Sequence, residues 1–366
     1  MDITEKITGI KYKILLYEDL KSVDIENFNI NECPASCIVK SGNNSFAVSK
    51  WVSPKRTRSY PYERVYNTLT SSKKIAVIPI IKDEGAVGDR DFLQWDTVSL
   101  MSLLDVFVIF AYYEKAEINP RFESKITNQQ FDNQYVISKI KDIEQYHSSA
   151  LHWNLNELNN NIESLFSKAK DCYTEISKQT GVKMHDFRKI DDLQLKLQMS
   201  ATLFMFFSRE KAKQAQAREI VTTQPKECLT TLTKARIMIE NYLGGEYYFT
   251  VDEILIENDT VYLIESKHSA TSILPSVGDI KDGLIKMILY SNLSEVYVND
   301  VKMKSKAVLK LTSKKIKGEI TSKSEIWNRG DFLLLNDFSQ SQIYFVEDLM
   351  EEADENKFNV IISNSK

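Results

Sequence analysis

Three charged side chains interrupt an otherwise apolar stretch, FTVDEILIENDTVYLIESKHS, at residues 249–269. The stretch has the pattern of two strands joined by a short polar turn, and the charged residues are Asp252, Glu265 and Lys267. Because alternate side chains of a strand share a face, Glu265 and Lys267 end the apolar face of the second strand. If Asn258 and Asp259 form a two-residue turn, Asp252 lies directly opposite Glu265, with Cβ atoms about 4.5–5.5 Å apart.

This arrangement suits metal-assisted hydrolysis. Two carboxylates held so close repel each other, and a divalent cation between them turns the repulsion into chelation. Mg²⁺ prefers oxygen ligands and keeps several waters, so two carboxylates and a backbone carbonyl would suit it. Lys267 would stand beside a water whose pKa the cation lowers, ready for attack on a phosphodiester. A turn with an odd number of residues would place Asp252 on the wrong face.

Helical patterns flank the hairpin on both sides. The segment QPKECLTTLTKARIMIENYLGG predicts a helix that has Pro225 in its first turn and ends at Gly244 and Gly245. After the hairpin, GDIKDGLIKMILYSNL repeats the apolar spacing of a helix despite Gly283. The predicted order is therefore helix, strand, strand, helix.

This order, with VDEILI and VYLIESK as its strands, resembles the core of the PD-(D/E)XK nucleases. The resemblance covers Leu229 to Leu293 and assigns Asp252 as the first acid, Glu265 as the second and Lys267 as the lysine. It also implies that the backbone carbonyl of Ser266 helps to hold a metal. The family often adds a glutamate from the preceding helix, for which the candidates are Glu240 and, second, Glu219. Val251 stands where the family usually has proline.

What the resemblance implies is an α/β protein with a restriction-endonuclease-like core, a mixed central sheet flanked by helices. It further implies a Mg²⁺-dependent type II restriction endonuclease that cuts double-stranded DNA at a specific short sequence, with a DNA methyltransferase as its genetic partner. Cutting both strands favours a homodimer. The alternatives are a repair or recombination nuclease of the same superfamily, a non-catalytic DNA-binding subunit of a defence system, and an ordinary hairpin end with a Glu–Lys pair.

The chain reads as three regions. Residues 1–135 are predicted to form an α/β region that could serve DNA recognition. Within it, WDTVSLMSLLDVFVIFAYY fits either a buried helix or a helix passing into a strand. Residues 136–220 read as a helical subdomain because long amphipathic segments there contain almost no Gly or Pro. Residues 221–366 would be the nuclease core.

Two further segments carry candidate sites. The segment KWVSPKRTRSYPYERVY mixes cations with aromatic rings, as a DNA-contacting loop does, and equally fits a solvated basic loop; its candidates are Lys50, Lys55, Arg56, Arg58, Tyr60 and Arg64. The segment KDEGAVGDRDFLQWD is a rival metal site, with Asp83, Glu84, Asp89, Asp91 and Asp96. It lacks a lysine at strand spacing.

Composition limits the classes of function. The net charge of −4 argues against a protein that coats nucleic acid indiscriminately, although a local basic surface remains compatible with it. The longest apolar run is too short to span a bilayer, and the start of the chain lacks a signal-peptide pattern. Of the four cysteines only Cys33 and Cys37 are close in sequence, which indicates neither a disulfide framework nor a four-cysteine zinc site and fits a reducing compartment. We therefore expect a cytoplasmic protein without a membrane segment.

Overall fold

The structure is a computed structural model that describes residues 2–54, 61–199, 235–241 and 246–365. The described strands are β1 (Asp2–Ile7), β2 (Ser22–Asp24), β3 (Ser36–Ser41), β4 (Asn44–Lys50), β5 (Lys74–Pro79), β6 (Ile81–Asp83), β7 (Arg90–Phe92), β8 (Val106–Ala111), β9 (Tyr113–Asn119), β10 (Phe122–Phe131), β11 (Ala235–Asn241), β12 (Glu246–Val251), β13 (Glu253–Glu257), β14 (Thr260–Ser269), β15 (Leu293–Val298), β16 (Val301–Ser313), β17 (Glu319–Thr321) and β18 (Asn359–Asn364). The described helices are α1 (Pro61–Tyr66), α2 (Trp95–Leu103), α3 (Asn133–Glu144), α4 (Ala150–Asn160), α5 (Ile162–Thr180), α6 (Arg188–Met199), α7 (Val277–Ser291), α8 (Ile326–Leu335) and α9 (Gln340–Asn356), with a 3₁₀ turn at Ile25–Asn27. The protein is thus a mixed α/β protein, which confirms the predicted α/β class.

The chain divides into two compact units, which differ from the three predicted regions. One unit comprises Met1–Glu18 and Arg209–Lys366, and the other comprises Asp19–Ser208. The first strand joins the carboxyl-terminal unit because β1 pairs with β11 in parallel and with β15 antiparallel. The helices α3 and α4 join the amino-terminal sheet because their apolar faces cover strand β8.

The sheet of the carboxyl-terminal unit positions the candidate site. Its strand order is β12-β11-β1-β15-β16-β14-β13, with β18 beside β16 and β17 beside β18. Strand β14 runs parallel to β16 and antiparallel to β13, and α7 packs on both β14 and β16. Strands β12 and β13 lie at opposite ends of this order, yet only Asp252 separates them in the chain. The sheet therefore curls so that its two ends meet at Asp252.

The amino-terminal unit has its own five-stranded sheet in the order β2-β3-β4-β5-β8. Strand β8, VFVIFA, is buried along its whole length because helices cover it, as its continuous apolar sequence indicates. Asn154 of α4 fixes this packing by accepting from the Val108 N–H and donating to the Val106 carbonyl. Of the two structures predicted for WDTVSLMSLLDVFVIFAYY, the structure has the helix followed by a strand, as α2 and β8, and not the single buried helix. The amphipathic helices are confirmed as α3, α4 and α5.

The helix predicted from Pro225 to Leu243 is wrong where the structure describes it. Residues 235–241 form strand β11, paired with β1 and β12, and residues 225–234 lie outside the described residues. The sequence ARIMIEN also alternates with period two, since Ile237 and Ile239 are buried whereas Arg236 and Glu240 are exposed. The segment therefore fits a helix and a strand, and its pairing with β1, at the amino terminus of the chain, favours the strand.

In the part of the chain that the structure describes, every helix is too short or too polar to cross a lipid bilayer.

Candidate active site

The hairpin has the register on which the predicted site depends. Glu253 pairs with Ile264 and Glu257 pairs with Thr260, so Asn258 and Asp259 form the two-residue turn. Asn258 adopts a positive φ of 54°, which Asn tolerates well in such turns. Asp252 immediately precedes the first of these pairs and therefore lies opposite Glu265. Its Oδ2 accepts a hydrogen bond from the backbone N–H of Ser266 at 3.0 Å.

Glu265 and Lys267 share the face of β14 that is covered by α7. Val261 and Leu263 precede them on this face and are fully buried. A Cβ atom at Gly283 of α7 would lie 3.8 Å from Glu265 Cγ and 3.3 Å from Lys267 Cε. The helix can approach both side chains this closely because residue 283 has no side chain.

The ionised form of Asp252 is destabilised by its surroundings. Burial, followed by the negative charge of Glu265, raises its pKa from 3.8 to about 6. The nearby ammonium of Lys286 and the hydrogen bond from Ser266 act in the opposite direction. A cation bound between the two carboxylates would relieve this repulsion and lower the pKa of Asp252.

Glu265 is buried, with 1% of its surface exposed, and two lysines share its carboxylate. Lys267 Nζ lies 3.0 Å from Oε1, and Lys286 Nζ lies 2.7 Å from Oε2. Burial acts to raise the pKa of Glu265, but the charges of Lys286 and Lys267 outweigh it and hold the pKa below its ordinary value. Glu265 is therefore ionised at neutral pH despite its burial.

Lys267 is held between two carboxylates. Its ammonium contacts Glu265 and also Asp282 Oδ2, which is 3.0 Å away. Burial acts to lower its pKa, but Glu265 and then Asp282 raise it above the ordinary value. Lys267 is thus a permanent positive charge at neutral pH, suited to orienting a water or an anion and unsuited to accepting a proton.

Helix α7 contributes residues that the sequence did not identify as part of the site. Its N-cap is Ser276, whose side chain accepts from the Asp279 N–H, and its apolar face is buried. The other side brings Asp282, Gly283 and Lys286 over β14. Asp282 and Lys286 are four residues apart, the spacing at which helical side chains lie on one face, and this was the signal available in the sequence.

The opposite face of the hairpin carries a separate charged group. Ser266 Oγ donates to Glu253 Oε1 at 3.0 Å, and Lys310 Nζ donates to Glu253 Oε2 at 2.9 Å. His268 also lies away from the site, where its Nδ1 contacts Thr312 Oγ1. The predicted alternation of faces along β14 therefore holds.

The structure does not bring Glu240 to the site. Glu240 is an exposed residue of strand β11, and its cross-strand partner is Glu246, six residues before Asp252. At about 3.3 Å per residue, roughly 20 Å of strand separates the two positions. Because 235–241 is a strand, the helix that was expected to carry this glutamate is absent there. Glu219 lies outside the described residues.

The donor set at the hairpin suits a hard divalent cation. Asp252 and Glu265 supply carboxylate oxygens on one face, and the pKa of Asp252 is raised by burial and then by the negative charge of Glu265. In this structure the ammonium of Lys286 supplies the positive charge next to the carboxylates of Glu265 and Asp252. Within the described ranges, no three or more His, Cys, Asp or Glu side chains form a group that could hold a metal ion. Two carboxylates alone would therefore have to share the cation with backbone and water oxygens.

The rival acidic segment is used for internal bonding. Asp83 is buried, and its Oδ1 accepts from the Gly85 N–H at 2.9 Å and contacts His185 Nδ1 at 2.8 Å. Asp91 accepts from Ser53 Oγ at 3.1 Å. These bonds orient the carboxylates towards the protein, which favours a structural role for the segment.

The candidate DNA-contacting loop is described only at its ends. Lys50 Nζ donates to the carbonyls of Cys33 and Asn31, and Arg64 donates to the carbonyl of Lys50. Burial lowers the pKa of Arg64. These two cations therefore stabilise backbone in their own unit. The other four candidates, Lys55, Arg56, Arg58 and Tyr60, lie outside the described residues.

Comparison of the chain with protein-family models, with curated proteins and with solved structures gives no match in any of the three. The chemistry of the hairpin and of α7 is therefore the basis for assigning a function.

Proposed function

We propose that the chain is a Mg²⁺-dependent endonuclease of the PD-(D/E)XK type, most like a type II restriction enzyme. The observation that carries the proposal is the register of the hairpin, which sets Asp252 opposite Glu265 with Lys267 two residues further along the same face. A structural Glu–Lys pair would not require a second buried carboxylate whose pKa is raised to about 6. Clustering of perturbed titratable groups is typical of functional sites.

The arrangement of elements supports the same family. An antiparallel hairpin, β13–β14, is followed by helix α7, and β16 then lies parallel to β14 and next to it. The two acids and the lysine therefore belong to a hairpin in a mixed sheet with a helix packed on it, an arrangement that supports the resemblance. The glutamate expected from a preceding helix has no counterpart here among the described residues, and Asp282 supplies an additional acid from the helix that follows.

Each side chain has a separate task in this proposal. Asp252 and Glu265, with the backbone carbonyl of Ser266, would hold Mg²⁺, which when bound polarises the scissile phosphate and makes its water more acidic. Lys267 orients the attacking water and stabilises the negative charge that develops on the phosphate. Asp282 holds Lys267 in place, and Lys286 keeps Glu265 ionised and oriented.

The proposed substrate is double-stranded DNA in the cytoplasm, cut at a specific short sequence to leave 5′-phosphate and 3′-hydroxyl ends. A homodimer would place one site on each strand, and a DNA methyltransferase would protect the host sequence. The bases that are read depend on a few side chains placed in a groove, and the hairpin chemistry does not specify them.

The test is to incubate the purified protein with unmethylated plasmid and with branched DNA, in Mg²⁺ and in EDTA, and to sequence any ends. Discrete fragments that share one short sequence support a restriction enzyme, whereas cutting at junctions alone supports a repair or recombination nuclease. Glu265→Gln and Lys267→Met should abolish cleavage. The matched control Lys302→Met, an exposed lysine of the same unit, should cleave as the wild type does. Binding of DNA without any cleavage would support the non-catalytic subunit instead.

A further inference from the structure

Two cysteine side chains of the amino-terminal unit lie next to each other at the start of strand β3. Cys37 is the second residue of β3, and Cys33 lies in the turn before it, where its N–H donates to the Asn29 carbonyl at 2.9 Å. Four residues of extended chain would separate the two cysteines by about 13 Å. The turn instead packs Cys33 against the apolar cluster that contains Cys37, and the two thiols are hydrogen-bonded to each other.

The two thiols differ in their access to solvent. Cys37 is 1% exposed and lies within the apolar cluster, whereas Cys33 is partly exposed and is followed by the exposed residues Pro34 and Ala35. Cys33 Sγ is held in this position by a hydrogen bond that it donates to the Ile30 carbonyl at 3.3 Å. A small oxidant in solution therefore meets Cys33 first, and Cys37 is the thiol behind it.

Hydrogen bonding and a nearby ammonium make Cys33 the more acidic of the two thiols. Lys50 Nζ donates to the Cys33 carbonyl at 2.9 Å and to the Asn31 carbonyl at 3.3 Å, which fixes the ammonium beside the turn. The hydrogen bond from Cys37 lowers the pKa of Cys33; burial acts to raise this pKa, and the charge of Lys50 lowers it. The hydrogen bond to Cys33, followed by burial, raises the pKa of Cys37. Cys33 is therefore the thiol that loses its proton first, and the thiolate is the form that reacts with oxidants.

Cys172 provides a contrast within the same unit. It is also partly exposed, but burial and then the negative charges of Glu114 and Asp132 raise its pKa. Partial exposure alone therefore does not make a thiol of this protein acidic. Solvent access, a lowered pKa and a second thiol in contact are together typical of redox-sensitive cysteines, and Cys33 has all three.

We propose that Cys33 and Cys37 form a modification site for hydroperoxides, at which oxidation joins the two sulfurs in an intramolecular disulfide that thiol reductants reverse. In a reducing compartment such disulfides are usually transient and serve catalysis or redox sensing. The site lies in the amino-terminal unit and shares no residue with the hairpin or with α7, so the inference is independent of the nuclease proposal.

The oxidation proceeds in two steps. The Cys33 thiolate attacks one oxygen of the hydroperoxide, the O–O bond breaks, and Cys33 becomes a sulfenic acid, while the leaving oxygen takes up a proton to give an alcohol, or water from hydrogen peroxide. This step removes the negative charge of Cys33 that helps to keep Cys37 protonated. The Cys37 sulfur then attacks the Cys33 sulfur, the S–O bond breaks, and hydroxide leaves with the Cys37 proton as water. The two thiols together lose two electrons, and the peroxide gains them.

The first test is peptide mapping of the full chain after treatment with excess hydrogen peroxide. Free thiols are blocked with iodoacetamide before digestion with trypsin, which cuts after Lys21 and Lys40 and so releases residues 22–40 with both cysteines. In the wild type this peptide should be recovered unalkylated and two hydrogens lighter than its reduced form, and dithiothreitol should restore the reduced mass. In the untreated protein, iodoacetamide should alkylate Cys33 at least about 10-fold faster than Cys172.

The second test separates the roles of the two thiols. In Cys37→Ser, which nearly preserves the size of the side chain, the sulfenic acid of Cys33 should persist and be trapped by dimedone, whereas in Cys33→Ser the Cys37 thiol should stay reduced. The matched control Cys172→Ser should form the disulfide as the wild type does. Circular dichroism establishes that the variants are folded, and the wild-type peptide alone decides the proposal if Cys37→Ser does not fold. Recovery of residues 22–40 with both thiols alkylated would overturn the proposal, as would a sulfinic acid in place of the disulfide or a Cys33 that alkylates no faster than Cys172.

Discussion

Removal of the Lys286 ammonium should destabilise the protein more than the loss of any exposed lysine. Lys286→Met keeps the length of the side chain but removes the charge 2.7 Å from Glu265 Oε2. Both side chains are largely buried, with 17% and 2% of their surfaces exposed. Breaking a buried ion pair costs about 3–5 kcal/mol because one charge is left uncompensated. Glu265 keeps Lys267 at 3.0 Å, so we expect a loss of about 2–3 kcal/mol in the free energy of unfolding.

The assay is urea unfolding in EDTA at neutral pH, with Lys302→Met as the control. Lys302 is 63% exposed and lies 4.0 Å from Glu295, so its removal should change the free energy of unfolding by less than about 0.5 kcal/mol. The double variant Glu265→Gln with Lys286→Met should recover much of the loss, because it leaves no unpaired buried charge. Added Mg²⁺ should stabilise Lys286→Met more than the wild type, since the cation supplies the missing charge.

The electrostatic account of the site would be refuted if Lys286→Met unfolded at the same urea concentration as the wild type. It would also be refuted if the double variant were simply the sum of the two single variants, because residues in one charged network are coupled.

Three further predictions concern single positions. Gly283→Ala would place a Cβ atom 2.8 Å from Leu309 Cδ1 and 3.3 Å from Lys267 Cε, which should displace Lys267. The overpacking should cost about 1–3 kcal/mol and exceed the gain of about 1 kcal/mol from the higher helix propensity of Ala. We therefore expect a lower midpoint of urea unfolding. Asp252 has a pKa of about 6 in the folded protein, so Mg²⁺ affinity measured by calorimetry should fall as the pH decreases through 6, and a flat profile from pH 5 to 8 would contradict this. Burial raises the pKa of Glu5 well above its ordinary value, and among the described residues neither of its carboxylate oxygens has a hydrogen-bond partner. Because the pKa of Glu5 is higher in the folded than in the unfolded protein, the folded state is favoured while Glu5 is protonated at low pH and loses free energy of unfolding as the pH rises and Glu5 must ionise. Glu5→Leu should therefore raise the free energy of unfolding more at pH 8 than at pH 4, by about 1–3 kcal/mol at pH 8.

Local sequence was sufficient for the hairpin and for helix α7. The apolar alternation of VYLIESK and the turn residues Asn258 and Asp259 fix a register in which a slip of one residue would expose the buried face. The helical spacing of GDIKDGLIKMILYSNL was equally clear, and α7 spans Val277–Ser291. Both elements depend on contacts between residues close in sequence.

Long-range pairing was the information that the sequence lacked. The segment ARIMIEN fits a helix and a strand almost equally well, and its strand pairing with residues 2–7 is more than 200 positions distant in the chain. For the same reason residues 2–7 were included in the amino-terminal region although they pair with β11 and β15, and Glu240 was expected beside Asp252 and Glu265 although it lies in β11, far from them. Asp282 and Lys286 were not predicted as site residues because polar residues of an amphipathic helix usually face solvent, whereas here they contact Lys267 and Glu265 of β14.

Equilibrium binding of Mn²⁺, followed by electron paramagnetic resonance, tests most directly whether Asp252 and Glu265 form one cation site. Mn²⁺ replaces Mg²⁺ at oxygen ligands and can be counted without any DNA substrate. We predict one site per chain in the wild type, at least a 10-fold loss of affinity in Asp252→Asn, and unchanged affinity in Asp259→Asn, which alters an exposed carboxylate at the tip of the same hairpin. Absence of Mn²⁺ binding to the folded wild type, or equal binding by Asp252→Asn, would contradict the central claim.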